Sequence, residues 1–137
     1  MAHILIVEDY HDNRNVVEFI LRHAGYTVSS AGNGLHGIDL AARVQPDLIL
    51  MDLALPLLNG WEATRHLKAN PTTRYIPVVA FTAHITQEDM DQAVAAGCVA
   101  IIAKPFEIDL FLSVIVAVLA QATGHARERA IGADWEE

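Results

Sequence analysis

The feature of this sequence that most restricts its fold is an apolar run at residues 48–51 that ends in a single carboxylate, Asp52. The run has no alternating polar residues, and it follows a chain-breaking segment at residues 45–47. Continuous apolar runs are typical of strands covered on both faces, as in parallel sheets with helices above and below. Ligands of such sheets bind outside the carboxyl ends of the strands. The run therefore predicts a buried strand that places Asp52 at a ligand-binding edge.

Strand-like segments alternate with helical segments along the chain. The predicted strands cover residues 3–7, 26–30, 48–53, 78–82 and 99–103. The predicted helices follow them, with the third at 61–69, the fourth at about 87–96 and the fifth from 107 to about 122. This alternation predicts an α/β fold, a single doubly wound, five-stranded parallel sheet with five helices, of the flavodoxin-like kind. The second strand is short and polar, so we place it at an edge, which gives the strand order 2-1-3-4-5.

Four of the five predicted strands end in polar side chains that can carry chemistry. These side chains are Glu8 and Asp9 after the first strand, Asp52 at the third, Thr82 at the fourth and Lys104 after the fifth. In the order 2-1-3-4-5 the first and third strands are neighbours at the topological switch point. We therefore expect three acids, a hydroxyl and an ammonium group to face each other in one crevice.

The composition limits the class of protein. The chain has 137 residues, enough for one ordinary domain, and a formal charge of −8 from nine basic and seventeen acidic residues. Without a basic cluster, direct binding to nucleic acid or to anionic lipid is disfavoured. A single cysteine, Cys98, excludes an internal disulfide, and the first residues do not resemble a signal peptide, so we expect a cytoplasmic protein.

Carboxylates that cluster without a cation repel, and the pKa of at least one of them rises. A hard divalent cation removes this repulsion, and a set of oxygen ligands without histidine or thiolate favours Mg²⁺, which readily shares its sites with phosphate. A carboxylate can itself accept a phosphoryl group while a metal, a lysine and a hydroxyl neutralise the phosphoryl oxygens. We therefore interpret Asp52 as the nucleophile, Glu8 and Asp9 as metal ligands, and Thr82 and Lys104 as phosphate-binding groups.

At these positions the sequence resembles a known family, the receiver domains of two-component response regulators, in particular the stand-alone, chemotaxis-regulator-like type. The resemblance covers about residues 3–121. The segments that carry it are Glu8-Asp9, residues 51–56 with Gly60 behind them, residues 81–83, and Lys104-Pro105. The order and spacing of all of them match, which is more specific than any single motif.

The resemblance implies a phosphoacceptor switch rather than an enzyme with a separate substrate. Asp52 would accept a phosphoryl group from a histidine of a sensor histidine kinase or of a histidine phosphotransfer protein. Mg²⁺ would be held by Asp9, Asp52 and the backbone carbonyl of Ala54, with Glu8 acting mainly through metal-bound water. Lys104-Pro105 would be a cis peptide that directs the lysine at the phosphate.

The same resemblance divides the chain into a receiver domain at residues 1–122 and a C-terminal tail at residues 123–137, without a separate output domain. The output would then be contact with a downstream protein, or onward phosphotransfer. Three positions depart from the family or vary within it. Ile101 stands where the family usually has an aromatic switch residue, while Ala54 and His84 stand where family members vary the access of water to the acyl phosphate.

Two alternative functions remain open from the sequence. The first keeps the fold without the chemistry, as a non-phosphorylated pseudo-receiver that serves as an interaction module, although such variants generally lack site residues and none is missing here. The second is a small dinucleotide-binding domain, because residues 32–37 fit the pattern G-x-G-x-x-G. The second reading leaves Glu8, Asp9, Thr82 and Lys104 unexplained, and the strand before the motif is short and polar.

The fifth predicted helix is apolar on more than one face. Residues 110–120 contain one polar residue, whereas a helix that covers one side of a sheet needs a single apolar stripe. The run is well short of the roughly 20 residues that span a bilayer, so we do not expect membrane insertion. We expect instead a homodimer or a partner contact through helix five, with Val114 or Val118, whichever faces outward, in the contact.

Overall fold

The structure is a computed structural model that describes residues 2–83 and 86–136, with side chains described as far as residue 122. The strands are β1 (His3–Val7), β2 (Thr27–Ala31), β3 (Leu48–Asp52), β4 (Val78–Thr82) and β5 (Ala100–Ala103). The helices are α1 (His11–His23), α2 (Gly34–Val44), α3 (Gly60–Ala69), α4 (Gln87–Ala96) and α5 (Ile108–Glu136). The predicted alternation of strands and helices is confirmed.

The five strands form one sheet in the order β2-β1-β3-β4-β5, and all neighbouring strands are parallel. The predicted topology is therefore confirmed, with the polar β2 at one edge. The register pairs Asp52 with Phe81 of β4, and Thr82 with Ala103 of β5. The polar ends of the central strands consequently lie side by side.

Strand β3 is buried along its whole length because both faces of the sheet are covered. Ile49 and Met51 pack into one apolar cluster, which includes side chains of α2, α3 and α4. Leu48 and Leu50 pack into a second cluster, on the side of α1 and α5. This two-sided packing is the physical reason for the continuous apolar run in the sequence. It also anchors the strand that ends in Asp52.

Two of the three glycines of the G-x-G-x-x-G pattern are explained by the packing of α2. A Cβ atom on Gly34 would lie 2.5 Å from the carbonyl oxygen of Leu58, and one on Gly37 would lie 2.8 Å from Cγ2 of Val7. Glycine at these positions lets α2 lie close to β1 and to the loop after β3. The motif follows the edge strand β2, and the close packing of α2 accounts for Gly34 and Gly37 without a dinucleotide.

Helix α5 is longer than predicted. It continues to Glu136, and the expected end near residue 122 is wrong. That prediction depended on the end of the apolar run, but residues 123–136 contain no proline and include several alanine, arginine and glutamate residues, which favour a helix. Among the described residues, α5 and the other helices all lack the combination of length and apolar character that a membrane crossing needs.

The orientation of α5 corrects the choice of its outward residues. Val118 is buried, and Val114 is half-buried and packs against the cluster that contains Phe111. Neither valine is therefore a good marker of the outer face. The large apolar side chains that point outward on this helix include Leu110 and Val116, which are 61% and 57% exposed.

Candidate active site

The carboxyl ends of the strands bring the predicted site residues together in one crevice. One carboxylate oxygen from each of Glu8, Asp9 and Asp52 lies within 4.8 Å of the others. Glu8 and Asp52 are buried, whereas Asp9 is exposed. The expected convergence of the three acids therefore follows from the adjacency of β1 and β3.

Local backbone packing holds Asp52 in place. Its Oδ1 accepts a hydrogen bond of 3.1 Å from the backbone N–H of Ala54. Behind it, the start of α3 lies so close that a Cβ atom on Gly60 would overlap the carbonyl oxygen of Asp52. The backbone N–H of Gly60 donates to the carbonyl of Leu53 at 3.1 Å. Glycine at this position thus allows α3 to begin against the strand end.

Lys104 supplies the positive charge of the crevice. Its Nζ lies 3.2 Å from Oε1 of Glu8 and 3.5 Å from Oδ2 of Asp52. The same ammonium group lies 4.3 Å from the ring centroid of Phe81, a cation–π distance. These distances show that Lys104 is directed into the acidic cluster. The peptide bond from Lys104 to Pro105 is cis, as expected.

Glu8 is the most strongly perturbed acid of the site. Its side chain is 1% exposed, and within the described part of the chain its Oε2 has no hydrogen-bond partner. Burial raises the pKa of Glu8 to about 7, the neighbouring Asp52 acts in the same direction, and Lys104 opposes both. The guanidinium of Arg14 fixes the backbone here by donating to the carbonyl of Glu8 at 2.9 Å.

These groups fit a divalent cation. The three acids offer only oxygen ligands, and Lys104 balances one of their negative charges, so the crevice stays acidic when all three ionise. The buried Oε2 of Glu8 still lacks a donor or a cation among the described residues. Mg²⁺ prefers such hard ligands. Glu8, Asp9 and Asp52 would hold the ion, and the participation of the Ala54 carbonyl remains a prediction.

Of the other predicted residues, two are described by the structure and one is not. Thr82 is buried at the end of β4, beside the acidic cluster. Ile101 is half-buried in β5 and packs against the apolar cluster on the side of α3 and α4. His84 lies outside the described residues, so its predicted effect on water access stays a prediction.

Several neighbours of the site were not predicted from the sequence. Asn13 lies close enough to Glu8 to lower its pKa, against the larger effect of burial. Trp61 and Asp89 line a cavity of about 340 Å³ together with Ala54 and Thr82. Only the position of Trp61, directly after Gly60, offered a signal in the sequence. Asp89 appeared as one acid among several on a polar helix.

Comparisons with relatives agree with this geometry. The chain is 38% identical over 119 residues to the polar-differentiation response regulator DivK of Brucella anthropi, covering 87% of this chain and 97% of the relative. The DivK protein of Brucella ovis is 37% identical over the same length.

Solved structures have the same fold. The receiver domain of a sensor histidine kinase from Pseudomonas aeruginosa, described with a magnesium ion coordinated in the active site cleft, matches with a TM-score of 0.82 and 35% identity, over 87% of this chain and 98% of that one. The chemotaxis protein CheY4 of Vibrio cholerae matches with a TM-score of 0.82 and 26% identity, over 86% and 98%. A family model described as the response regulator receiver domain matches residues 4–116. The chain belongs to the response regulator receiver domain family.

Proposed function

We propose that this receiver domain is a phosphoacceptor switch in a two-component phosphorelay, with Asp52 as the acceptor. The observation that supports this best is the environment of the Asp52 carboxylate. It is held by the N–H of Ala54, lies 3.5 Å from the ammonium of Lys104, and shares a cluster of oxygen ligands with Glu8 and Asp9. Such a carboxylate is fixed in position, lies beside a cation, and lies where a divalent ion can join it.

The transfer requires few protein groups. An oxygen of Asp52 attacks the phosphorus of a phosphohistidine, the bond from phosphorus to the imidazole nitrogen breaks, and its electron pair returns to the imidazole. Mg²⁺, when bound, supplies positive charge to the phosphoryl oxygens. The Thr82 hydroxyl and the Lys104 ammonium donate hydrogen bonds to the same oxygens. The protein thereby assists its own phosphorylation without turning over a separate substrate.

Phosphorylation changes what Lys104 contacts. In the present structure its ammonium pairs with Glu8 and Asp52. After transfer, the charged phosphoryl oxygens offer it a stronger partner than the neutral carbonyl oxygen of the acyl phosphate at Asp52. A contact that differs between the two forms is what can shift a conformational equilibrium. We infer that this shift alters binding to a downstream protein, or precedes onward transfer of the phosphate.

A groove beside the site fits a protein donor. It has a volume of about 560 Å³ and opens next to Lys104. Its walls are mostly apolar and come mainly from α1, from the segment between β5 and α5 and from the first residue of α5, including Val16, Ile20, Phe106 and Ile108. A histidine that approaches Asp52 past Lys104 would pass over this groove, so an apolar helix of a histidine kinase or phosphotransfer protein is the partner we propose here. Cytoplasmic localisation stays a prediction.

Acetyl phosphate with Mg²⁺ tests the proposal without a cognate donor. Intact mass should show the gain of one phosphoryl group by the wild-type chain and none by Asp52→Asn. The matched control is Asp39→Asn, because Asp39 is an exposed aspartate of α2 that pairs with Arg43. Chelation of the metal with EDTA should prevent labelling.

Three results would contradict the proposal. Labelling that persists in Asp52→Asn would show that Asp52 is not the acceptor. Labelling unchanged by EDTA would show that the transfer does not need the metal. A wild-type chain that takes up no phosphoryl group under any of these conditions would favour the non-phosphorylated interaction module.

A further inference from the structure

Trp61 has a buried polar atom that the site described above does not use. It is the second residue of α3, and its side chain is half-buried. Within the described residues, its buried indole Nε1 has no hydrogen-bond partner. A buried donor without a partner is rare in native proteins, because it has lost its hydrogen bond to water and gained none. The atom therefore requires a physical explanation.

The indole lies beside a cavity that adjoins the acceptor. This is the cavity of about 340 Å³ whose lining includes Trp61, Ala54, Thr82 and Asp89. Ala54 donates to the Asp52 carboxylate, and Thr82 ends the neighbouring strand, so the cavity reaches the phosphoacceptor. Its other walls are the first turns of α3 and α4. An approach of these two turns would narrow it.

Asp89 is the acceptor that such an approach would bring to the indole. It is the third residue of α4 and forms a reciprocal cap with Thr86. One hydrogen bond of the cap is the shorter, from the N–H of Asp89 to Oγ1 of Thr86 at 3.1 Å. The other hydrogen bond, from the N–H of Thr86 to Oδ2 of Asp89, is long at 3.4 Å. The carboxylate can turn toward α3 while the helix keeps the shorter bond.

We propose that Trp61 is a positioning residue that donates its indole N–H to Asp89 in the phosphorylated form and so couples α3 to α4. This inference rests on the proposed function of Asp52. Thr82, Trp61 and Asp89 line the same cavity, so a movement of the Thr82 hydroxyl toward the phosphoryl group changes the space between Trp61 and the first turn of α4. The bond satisfies the buried donor only in this form.

A bond made in only one form has a reciprocal consequence. If the contact between Trp61 and Asp89 stabilises the phosphorylated conformation, its loss must weaken binding of a phosphoryl mimic by the same factor. We expect a loss of about fivefold, the lower end of ordinary coupling between sites. The mimic is beryllofluoride with Mg²⁺, added to the full chain. The loss of affinity should appear without any change at the acceptor itself.

The direct readout is the indole N–H resonance of the ¹⁵N-labelled full chain. Trp61→Phe identifies the resonance, since Trp135 carries the other indole. Addition of beryllofluoride and Mg²⁺ should move the Trp61 signal downfield, as expected for a newly formed hydrogen bond. Asp89→Ala should abolish this shift, whereas Glu88→Ala, which removes the same charge from the same helical turn, should retain it.

A double-mutant cycle tests the pair independently of the spectra. Trp61→Phe keeps the ring and removes the donor, so it and Asp89→Ala should each weaken beryllofluoride binding about fivefold, and the double variant should be no weaker than either. Additive losses would contradict the proposal. So would an indole signal that does not move, or one whose shift is lost in His84→Ala but kept in Asp89→Ala.

These outcomes separate the two proposals. If acetyl phosphate labels the wild-type chain but the indole signal stays in place, the inference on Trp61 fails and the proposed function stands. If neither acetyl phosphate nor beryllofluoride acts on Asp52, the proposed function itself fails.

Discussion

At the scale of single residues, Glu8 carries a carboxyl group that is 1% exposed and lies beside two other acids. Burial is the largest cause of the rise of its pKa to about 7, and Lys104 compensates only in part. The folded protein therefore binds a proton at Glu8 more tightly than the unfolded chain does. The stabilisation by this proton is complete below the unfolded pKa of 4.5 and is lost as the pH rises through about 7.

This linkage predicts the effect of Glu8→Gln in the presence of EDTA. Between pH 5 and pH 8 the wild-type free energy of unfolding should fall relative to that of the variant, by roughly 3 kcal/mol for a shift of this size. Urea unfolding at the two pH values measures it, with Glu88→Gln on α4 as the control. Added Mg²⁺ should restore the wild type at pH 8. Parallel pH dependence of wild type and Glu8→Gln would show that burial does not perturb this carboxyl.

At the scale of secondary-structure elements, the site depends on how closely α3 begins against β3. A Cβ atom on Gly60 would overlap backbone atoms of Asp52 and Leu53, which cannot turn away as a side chain can. The first turn of α3 would have to move outward and take the loop after Asp52 with it. The hydrogen bond from Ala54 to Asp52 lies in that loop.

Gly60→Ala should therefore reduce both stability and phosphorylation. We expect a loss of about 1–3 kcal/mol, typical of overpacking, although alanine is the better helix former. The measurements are urea unfolding and the rate of labelling by acetyl phosphate. Gly32→Ala is the matched control, because a Cβ atom there would lie 3.4 Å from the end of the Arg14 side chain, an ordinary contact. If Gly60→Ala is as stable and as reactive as Gly32→Ala, then the close start of α3 at Gly60 does not hold the loop after Asp52 in place.

At the scale of the whole molecule, α5 leaves apolar side chains uncovered by the sheet. Leu110 and Val116 are more than half exposed, while Phe111, Ile115 and Val118 fill the core on the other side. Exposed apolar surface of this kind is typical of contact sites. We therefore expect the outer face of α5 to bind a second copy of the chain or a partner.

The test uses the residues that the structure shows to be outward. Val116→Lys should shift sedimentation of a self-associating wild type toward the monomer, without loss of stability. Leu35→Lys is the control, because Leu35 is an apolar residue that is also 57% exposed but lies on α2, on the opposite side of the sheet. Val118→Lys should instead destabilise the fold, since it places a charge in the core. If the wild type sediments as a monomer and Val116→Lys leaves target binding unchanged, α5 is not a contact surface.

The sequence by itself determined the elements, their order and the residues at the strand ends. The sequence of Leu48–Asp52 predicts a buried strand, because a continuous apolar run is typical of strands that are covered on both faces. Alternation with helices then restricts the connections to right-handed crossovers, and the polar second strand at an edge gives the order that places Asp52 beside Glu8 and Asp9. These inferences use local periodicity and connection rules, both of which are present in the chain before it folds.

Only the tertiary structure decided which side chains meet between elements. The pairing of Lys104 with both Glu8 and Asp52, the buried indole of Trp61 beside Asp89, and the inward turn of Val118 depend on helix rotation and on distances between elements. A helical pattern with apolar residues on several faces does not define which face is covered, because each face could be buried equally well. That choice is made when the helix packs on the sheet, and the identity of its outward residues follows from it.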